Sequence, residues 1–269
     1  MRGSPERAPG REAASPSGTG VERGPLREYA RVWAVLVLLI AVPAWLLTVA
    51  QAGGLGAMPG TMGLALPLFL VMWLTMMTAM MFPALAPVAL TWGRGIRRQS
   101  RGLARAARFT EFTVGYLLAW TALGVPAYGV FTLVADLSAD HPGAVRWIGA
   151  GAYLVAGVYQ FTWAKSACLR HCRSPMGQLL DYSRYRPRLR DLRVGLHHGL
   201  YCVGCCWGLM LVLVPLGAMN VAAMAALALV IFLEKLWPHG WYLSRAVGVV
   251  FLALAALVPF QSWPIAALS

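Results

Sequence analysis

Long apolar runs, separated by short polar segments, restrict most strongly how this chain can fold. Several of them approach or exceed the roughly 18–20 residues that a helix needs to cross a bilayer. Hydrophobic residues make up 59% of the chain and charged residues 12%, which excludes an ordinary soluble domain. The sequence therefore predicts an all-α polytopic transmembrane helix bundle of about seven spans in a cell membrane. The predicted spans are 32–50, 63–92, 112–135, 145–163, 196–216, 218–237 and 246–260.

Basic residues alternate from one side of these runs to the other. Six arginines precede the first run, six lie in 94–108 and eight basic residues lie in 165–196, whereas the intervening connections carry at most one. Because Lys and Arg accumulate in cytoplasmic loops, this pattern predicts a cytoplasmic N-terminus. The net charge of +13 is thus topogenic. The expected partner is the lipid bilayer, and no nucleic acid is expected.

The remaining segments differ from the runs in composition. Residues 1–31 are rich in Pro, Gly, Ser, Ala and Arg, which predicts a disordered basic cytoplasmic tail. The helical bundle is expected over 32–260, with 165–196 as a basic cytoplasmic loop within it. Residues 261–269 form a short C-terminal tail. The bundle is therefore the part expected to carry the function.

Three of the five cysteines lie in the run 196–216, at Cys202, Cys205 and Cys206. On a helix they fall within roughly 100° of one another. His198 lies one turn before this arc and Met210 one turn after it. Thiolate, thioether and imidazole groups on one stripe suit Cu(I) or zinc. Small apolar packing residues are the alternative reading.

A second cysteine cluster follows the fourth predicted span. Cys168 and Cys172 are four residues apart, so a continuing helix would place both sulfurs on one side. His171 and several cations surround them, and nearby positive charge lowers the pKa of a thiol. The predicted topology puts all five cysteines near the reducing side of the membrane, where thiolates remain available for metal.

The second predicted span carries a dense group of methionines. Thioethers hold Cu(I) without losing a proton, so these side chains are candidate ligands, although methionine also fills irregular helix contacts. Met72, Met76 and Met80 share one stripe, and Met77 and Met81 lie beside it. The candidate metal ligands in this span are Met76, Met77, Met80 and Met81.

Two ionisable residues lie inside the sixth predicted span. An intramembrane charge is costly, so Glu234 is expected to orient a histidine ligand, accept a proton or pair with a loop arginine. Lys235 is expected either to support the site or to extend to the interface. With His171, these residues are candidates for supporting the metal ligands.

Four motifs occur in the same order in one bacterial family: Met76-Met-Thr-Ala-Met-Met-Phe-Pro-Ala-Leu-Ala-Pro87, Lys165-Ser-Ala-Cys-Leu-Arg-His-Cys-Arg-Ser-Pro175, Gly199-Leu-Tyr-Cys-Val-Gly-Cys-Cys-Trp-Gly-Leu-Met210 and Leu233-Glu-Lys235. The chain resembles, over 32–260, the predicted metal-binding integral membrane proteins, catalogued as domain-of-unknown-function family 2182. The resemblance implies metal binding and no established reaction. It places the family motif positions on Met76, Met77, Met80, Met81, Cys168, Cys172, Cys202, Cys205, Cys206 and Glu234.

The sequence therefore predicts a membrane protein that binds a copper ion, or secondarily a zinc ion, for metal handling, transfer or transport. A metallochaperone or metalloenzyme is the expected partner, in a bacterial inner membrane. Two alternatives remain open: a membrane thiol oxidoreductase that uses Cys202 and Cys205, and a structural or assembly subunit without metal. No catalytic residue is assigned, and an enzyme is the less favoured interpretation.

Overall fold

The computed structural model describes residues 23–55, 60–99, 101–174 and 189–260, and this part of the chain is all-α. Segments 1–22 and 261–269 of the predicted tails, and 175–188 of the predicted basic loop, lie outside the described residues. The helices are α1 (Arg23–Leu55), α2 (Leu66–Gln99), α3 (Gly102–Asp140), α4 (Val145–Gln160), α5 (Trp163–Arg173), α6 (Arg190–Leu211), α7 (Leu213–Leu216), α8 (Val221–Leu236) and α9 (Gly240–Leu257), with short 3-10 turns at Pro142–Ala144 and Val258–Phe260.

Four segments of the described chain are long and apolar enough to cross a membrane: Leu66–Val88, Gly102–Asp140, Arg190–Leu211 and Gly240–Phe260. A shorter apolar helix covers Leu39–Gly54. These lengths are compatible with a membrane protein, because about 20 apolar residues span the hydrocarbon core. The full set of seven spans and the cytoplasmic N-terminus stay predictions.

Several helix limits differ from those expected. The segment 246–260 was predicted to be a short last span, but the apolar helical segment begins at Gly240 and has 21 residues. Helix α6 begins at Arg190, before the predicted 196, because the buried Asp191 in its first turn binds a neighbouring helix. Helix α2 runs unbroken through Pro83 and Pro87, although each proline removes one backbone hydrogen bond from the helix. Membrane helices tolerate proline where neighbouring groups satisfy the freed backbone.

Helices α3 and α6 cross at very short range. A Cβ atom added at Gly195 would collide with the backbone carbonyl of Phe112, and one at Gly199 would lie 2.7 Å from Cβ of Ala119. Small residues at such a crossing let two backbones approach, which is the main source of helix association in a bilayer. Gly195 and Gly199 therefore allow the close approach of α3 and α6.

A polar clamp joins three helices near the start of α6. The Arg108 guanidinium of α3 donates to both carboxylate oxygens of Asp191, at 2.7 and 3.3 Å. The indole N–H of Trp92 in α2 donates to Asp191 at 3.0 Å. Because Asp191 is buried, these bonds satisfy a carboxylate that would otherwise be costly. The clamp fixes the first turn of α6, and hence the cysteines that follow it.

Candidate metal centre

Cysteine sulfurs from α5 and α6 meet in the interior of the bundle. Cys172 Sγ of α5 lies 3.9 Å from Cys205 Sγ of α6, and Cys205 Sγ lies 3.2 Å from Cys206 Sγ. Cys172, Cys202, Cys205 and Cys206 are all buried free thiols. We refer to these four residues as the sulfur cluster. Residues more than 30 positions apart along the chain thus come together.

The placement of α5 brings Cys172 to this position. Thr162 caps α5 by accepting a hydrogen bond from the backbone N–H of Lys165, so the helix begins just after α4 ends at Gln160. Helix α5 then packs against α6 and α8. The segment expected to be part of a polar loop is therefore an ordered helix over Trp163–Arg173.

Cys168 occupies a different environment from Cys172. It is half-buried, and its sulfur lies against Gly204 of α6, where an added Cβ would come within 2.7 Å. Burial raises the pKa of the Cys168 thiol, opposite to the lowering that the surrounding cations predicted. The desolvation of the thiolate therefore outweighs the attraction of nearby positive charge.

Cys202 has polar contacts with two other helices. Its sulfur lies 3.1 Å from the Tyr116 hydroxyl of α3, and Lys235 Nζ of α8 donates to it at 3.0 Å. The Cys205 thiol donates to the backbone carbonyl of Cys202 at 3.2 Å. Lys235 thus extends into the bundle rather than to the interface. The Cys202 sulfur therefore accepts a charge-assisted hydrogen bond from Lys235 and contacts the Tyr116 hydroxyl.

Glu234 pairs with a residue that the sequence placed among the loop cations. Lys165 Nζ donates to Glu234 Oε2 at 2.7 Å, and the two side chains are 1% and 2% exposed. The other carboxylate oxygen, Oε1, is buried and has no hydrogen-bond partner among the described residues. Neither a loop arginine nor a histidine takes the place of Lys165 in this contact. The ion pair joins α5 to α8 beside the sulfur cluster.

Three of the five histidines lie on the helices that carry the cysteines, His171 on α5 and His197 and His198 on α6. His198 is buried, and its ring stacks on Tyr116 with centroids 6.1 Å apart. Within the part of the chain that the structure describes, its Nδ1 has no hydrogen-bond partner. His171 stacks on Tyr201 at 3.8 Å, and the His197 ring lies edge-on to His171 at 5.5 Å. His198 therefore contacts the residue that binds Cys202, whereas His171 lies in an aromatic group between α5 and α6.

The methionines of α2 are fully buried, on a helix other than the two that carry the cysteines. Helix α2 packs against α1, α3 and α8, and its Phe82 ring lies 6.2 Å from the Tyr116 ring. Tyr116 thus connects the methionine helix with Cys202. The buried candidates are Met76, Met77, Met80 and Met81. Met210 instead lines an apolar cavity with Trp73 and Trp207.

The close contacts between cysteine sulfurs join two atoms at a time, Cys172 with Cys205 and Cys205 with Cys206. Within the described ranges, no group of three or more His, Cys, Asp or Glu side chains could hold a metal ion as arranged. Two residues that contact the predicted site, Lys165 and Tyr116, were not among its candidates. Lys165 could have been recognised because it stands three residues before Cys168, on the same helix face. Tyr116 has no local signal in the sequence.

Comparison with known proteins gives one match. A protein-family model described as PpoB2, copper chaperone, matches residues 70–258. This range includes the methionines of α2, the five cysteines, Lys165 and Glu234-Lys235. The match confirms the expectation of a copper-related family. The matching model is described as a copper chaperone and does not carry the name domain-of-unknown-function family 2182. No curated protein and no solved structure matches the chain.

Proposed function

The chain belongs to the PpoB2 copper chaperone family, and from this premise we propose that it binds Cu(I) through cysteine sulfurs inside a membrane bundle and delivers the ion to a partner. Copper is the cargo of this protein. The observation that carries the proposal is the contact between Cys172 Sγ and Cys205 Sγ, which brings two soft ligands from different helices together.

The separation of these two sulfurs suits a shared ion. With a metal–sulfur bond of about 2.3 Å, two thiolates lie about 3.8 Å apart at a tetrahedral angle and about 4.6 Å apart when linear. The observed 3.9 Å between Cys172 and Cys205 lies within this interval. The 3.2 Å between Cys205 and Cys206 is shorter, so one of those sulfurs would have to turn before both could bind. Cys172 and Cys205 are therefore the proposed primary ligands.

Delivery requires that the ion can leave. Thioethers are neutral ligands and bind Cu(I) more weakly than thiolates. The buried methionines of α2 therefore offer a second Cu(I)-binding site of lower affinity. Tyr116 lies between the sulfur cluster and the methionine helix, because its hydroxyl contacts Cys202 and its ring contacts Phe82 of α2. The receiving partner would be a metallochaperone or a metalloenzyme that needs copper.

The proposed location is a bacterial inner membrane, with seven spans and a cytoplasmic N-terminus. The four long apolar segments support a membrane location. The alternation of basic residues supports the orientation. In this arrangement Cys168 and Cys172 lie just beyond the cytoplasmic end of the fourth span. Copper would then enter the sulfur cluster from the reducing side, where Cu(I) is the stable ion.

Purified protein, loaded with Cu(I) under reducing conditions and desalted, tests the proposal by its copper content. The wild-type chain is expected to keep close to one copper ion per chain, and Cys205→Ser to lose most of it. Cys168→Ser is the matched control because it makes the same change on α5 away from the Cys172–Cys205 contact. It should keep its copper.

Three outcomes would contradict the proposal. Wild-type protein that retains no copper would exclude Cu(I) binding, and an unchanged copper content in both Cys172→Ser and Cys205→Ser would exclude the proposed ligands. A metal-free protein with a reversible dithiol potential that depends on Cys202 and Cys205 would instead support an oxidoreductase.

A further inference from the structure

Two lysines and one glutamate are gathered beside the sulfur cluster. Lys165 and Glu234 form an ion pair with almost no exposure, and Lys235 donates to the sulfur of Cys202. Buried charges persist only when paired, and inside a membrane they mark functional positions by default. We refer to Lys165, Glu234 and Lys235 as the charge network. Its members come from α5 and α8, two of the helices that pack around α6.

The network carries an excess positive charge. Lys165 and Glu234 cancel, so with Cys202 as a neutral thiol that accepts its hydrogen bond, Lys235 contributes one net positive charge. The Arg108–Asp191 pair, near the start of α6, is balanced and adds no net charge. Arg173 donates to the backbone oxygens of Trp237 and Pro238 at an exposed position, where solvent screens its charge.

The charge of a metal–thiolate complex is the sum of the charges of the ion and of its thiolates. Cu(I) with two thiolates forms a complex of charge −1, and the excess charge of the partly buried Lys235 makes the whole assembly neutral. Zn²⁺ with the same two thiolates is already neutral, so Lys235 leaves the assembly at +1, and zinc reaches neutrality only by recruiting a third thiolate. In a medium of low dielectric constant, a net charge is strongly unfavourable.

We infer that the charge network makes the sulfur cluster selective for a monovalent soft cation bound by two thiolates. This inference rests on the proposed function. Lys235 is the positioning residue that supplies the compensating charge next to the sulfurs, at 3.0 Å from Cys202. Lys165 neutralises Glu234, so that the carboxylate does not cancel the charge of Lys235.

Three variants separate charge from structure. Lys235→Met removes the excess charge, and Lys235→Arg keeps it. The double variant Lys165→Met/Glu234→Gln removes one charge of each sign and so keeps the net charge. Replacing both partners of a buried ion pair is commonly tolerated, whereas removing one partner is not. Affinities for Cu(I) and for Zn²⁺ are measured on each purified full-length variant by competition with a chromophoric chelator for each ion.

Lys235→Met is expected to lower the Cu(I) affinity by about 10–100-fold, the usual effect of losing a group that supports metal ligands. Its Zn²⁺ affinity should change much less, so the preference for copper over zinc falls. Lys235→Arg and the double variant should keep both the Cu(I) affinity and the preference of the wild type.

The inference would be overturned if Lys235→Met left the preference for Cu(I) over Zn²⁺ unchanged, whether both affinities fell together or neither did. It would also be overturned if Lys235→Arg lost the preference. If the double variant fails to fold, the comparison of Lys235→Met with Lys235→Arg still shows whether the charge at position 235 sets the preference for Cu(I) over Zn²⁺. Wild-type protein that binds no Cu(I) would instead contradict the proposed function, so the two failures are distinguishable.

Discussion

Gly204 shows how a single residue sets the distance between α5 and α6. It stands between Val203 and Cys205, and its missing side chain leaves room for the sulfur of Cys168. Tyr159 also donates a hydrogen bond to the backbone carbonyl of Gly204. A residue with no ligand atoms therefore controls how closely the helix that carries Cys172 can approach Cys205.

Gly204→Ala is expected to weaken copper binding without removing a sulfur. The new Cβ would lie 2.7 Å from Cys168 Sγ, so Cys168 must rotate or α5 must shift. Overpacking of this kind costs about 1–3 kcal/mol. Measured by chelator competition and thermal unfolding in detergent, the variant should show a lower Cu(I) affinity and a lower Tm.

Gly151→Ala, in α4, is the control for this change because a Cβ there meets nothing within 4 Å. It should keep the wild-type copper affinity and gain up to about 1 kcal/mol of stability from the better helix propensity of alanine. Equal effects of the two substitutions would show that the contact with Cys168 has no influence on the site.

At the scale of elements, the crossing of α3 and α6 holds the cysteine helix in place. Gly115 of α3 faces the Leu192 carbonyl of α6, and Gly195 of α6 faces the Phe112 carbonyl of α3. Both contacts are with backbone, which cannot move aside as a flexible side chain can. Tyr116, the next residue after Gly115, then reaches Cys202.

Gly195→Ala should destabilise the bundle strongly, because its Cβ would collide with the backbone of Phe112 and separate α3 from α6. The expected loss is about 3 kcal/mol, at the upper end for overpacking. Thermal unfolding of detergent-solubilised protein measures it. Gly129→Ala on α3, where a Cβ meets nothing within 4 Å, should unfold at or above the wild-type temperature. Similar Tm values for both variants would rule out the crossing as a determinant of stability.

At the scale of the whole molecule, the sidedness of the bundle decides from which compartment copper enters. The eight basic residues of 165–196 predict that this connection is cytoplasmic, and the short segment near His141 should then face outward. The two segments lie on opposite sides of the predicted fourth span. Their accessibility therefore tests the orientation directly.

Ser183→Cys and His141→Cys provide this test in intact cells treated with a membrane-impermeant maleimide. The wild-type chain, with its five native cysteines, gives the background. His141→Cys should be labelled above that background, and Ser183→Cys only after the cells are opened. The reverse pattern would place the 165–196 connection outside and overturn the proposed entry of copper from the cytoplasm.

The sequence by itself determined the all-α class and the candidate sulfur ligands, because hydrophobic run length and residue chemistry are local properties. The approach of α6 to a neighbouring helix could also be predicted, since the spacing of Gly195 and Gly199 is visible in one segment. The start of α6 could not be predicted, because the ion pair of Asp191 with Arg108 forms only when α3 and α6 pack together.

Only the tertiary structure decided which of the candidate groups meet. It brought Cys172 to Cys205, left Cys168 against Gly204, and turned Lys165 from a loop cation into the partner of Glu234. The physical reason is that contacts between helices depend on how each is rotated and how closely it packs. Those quantities are set by the whole bundle and are not encoded in any single stretch of the chain.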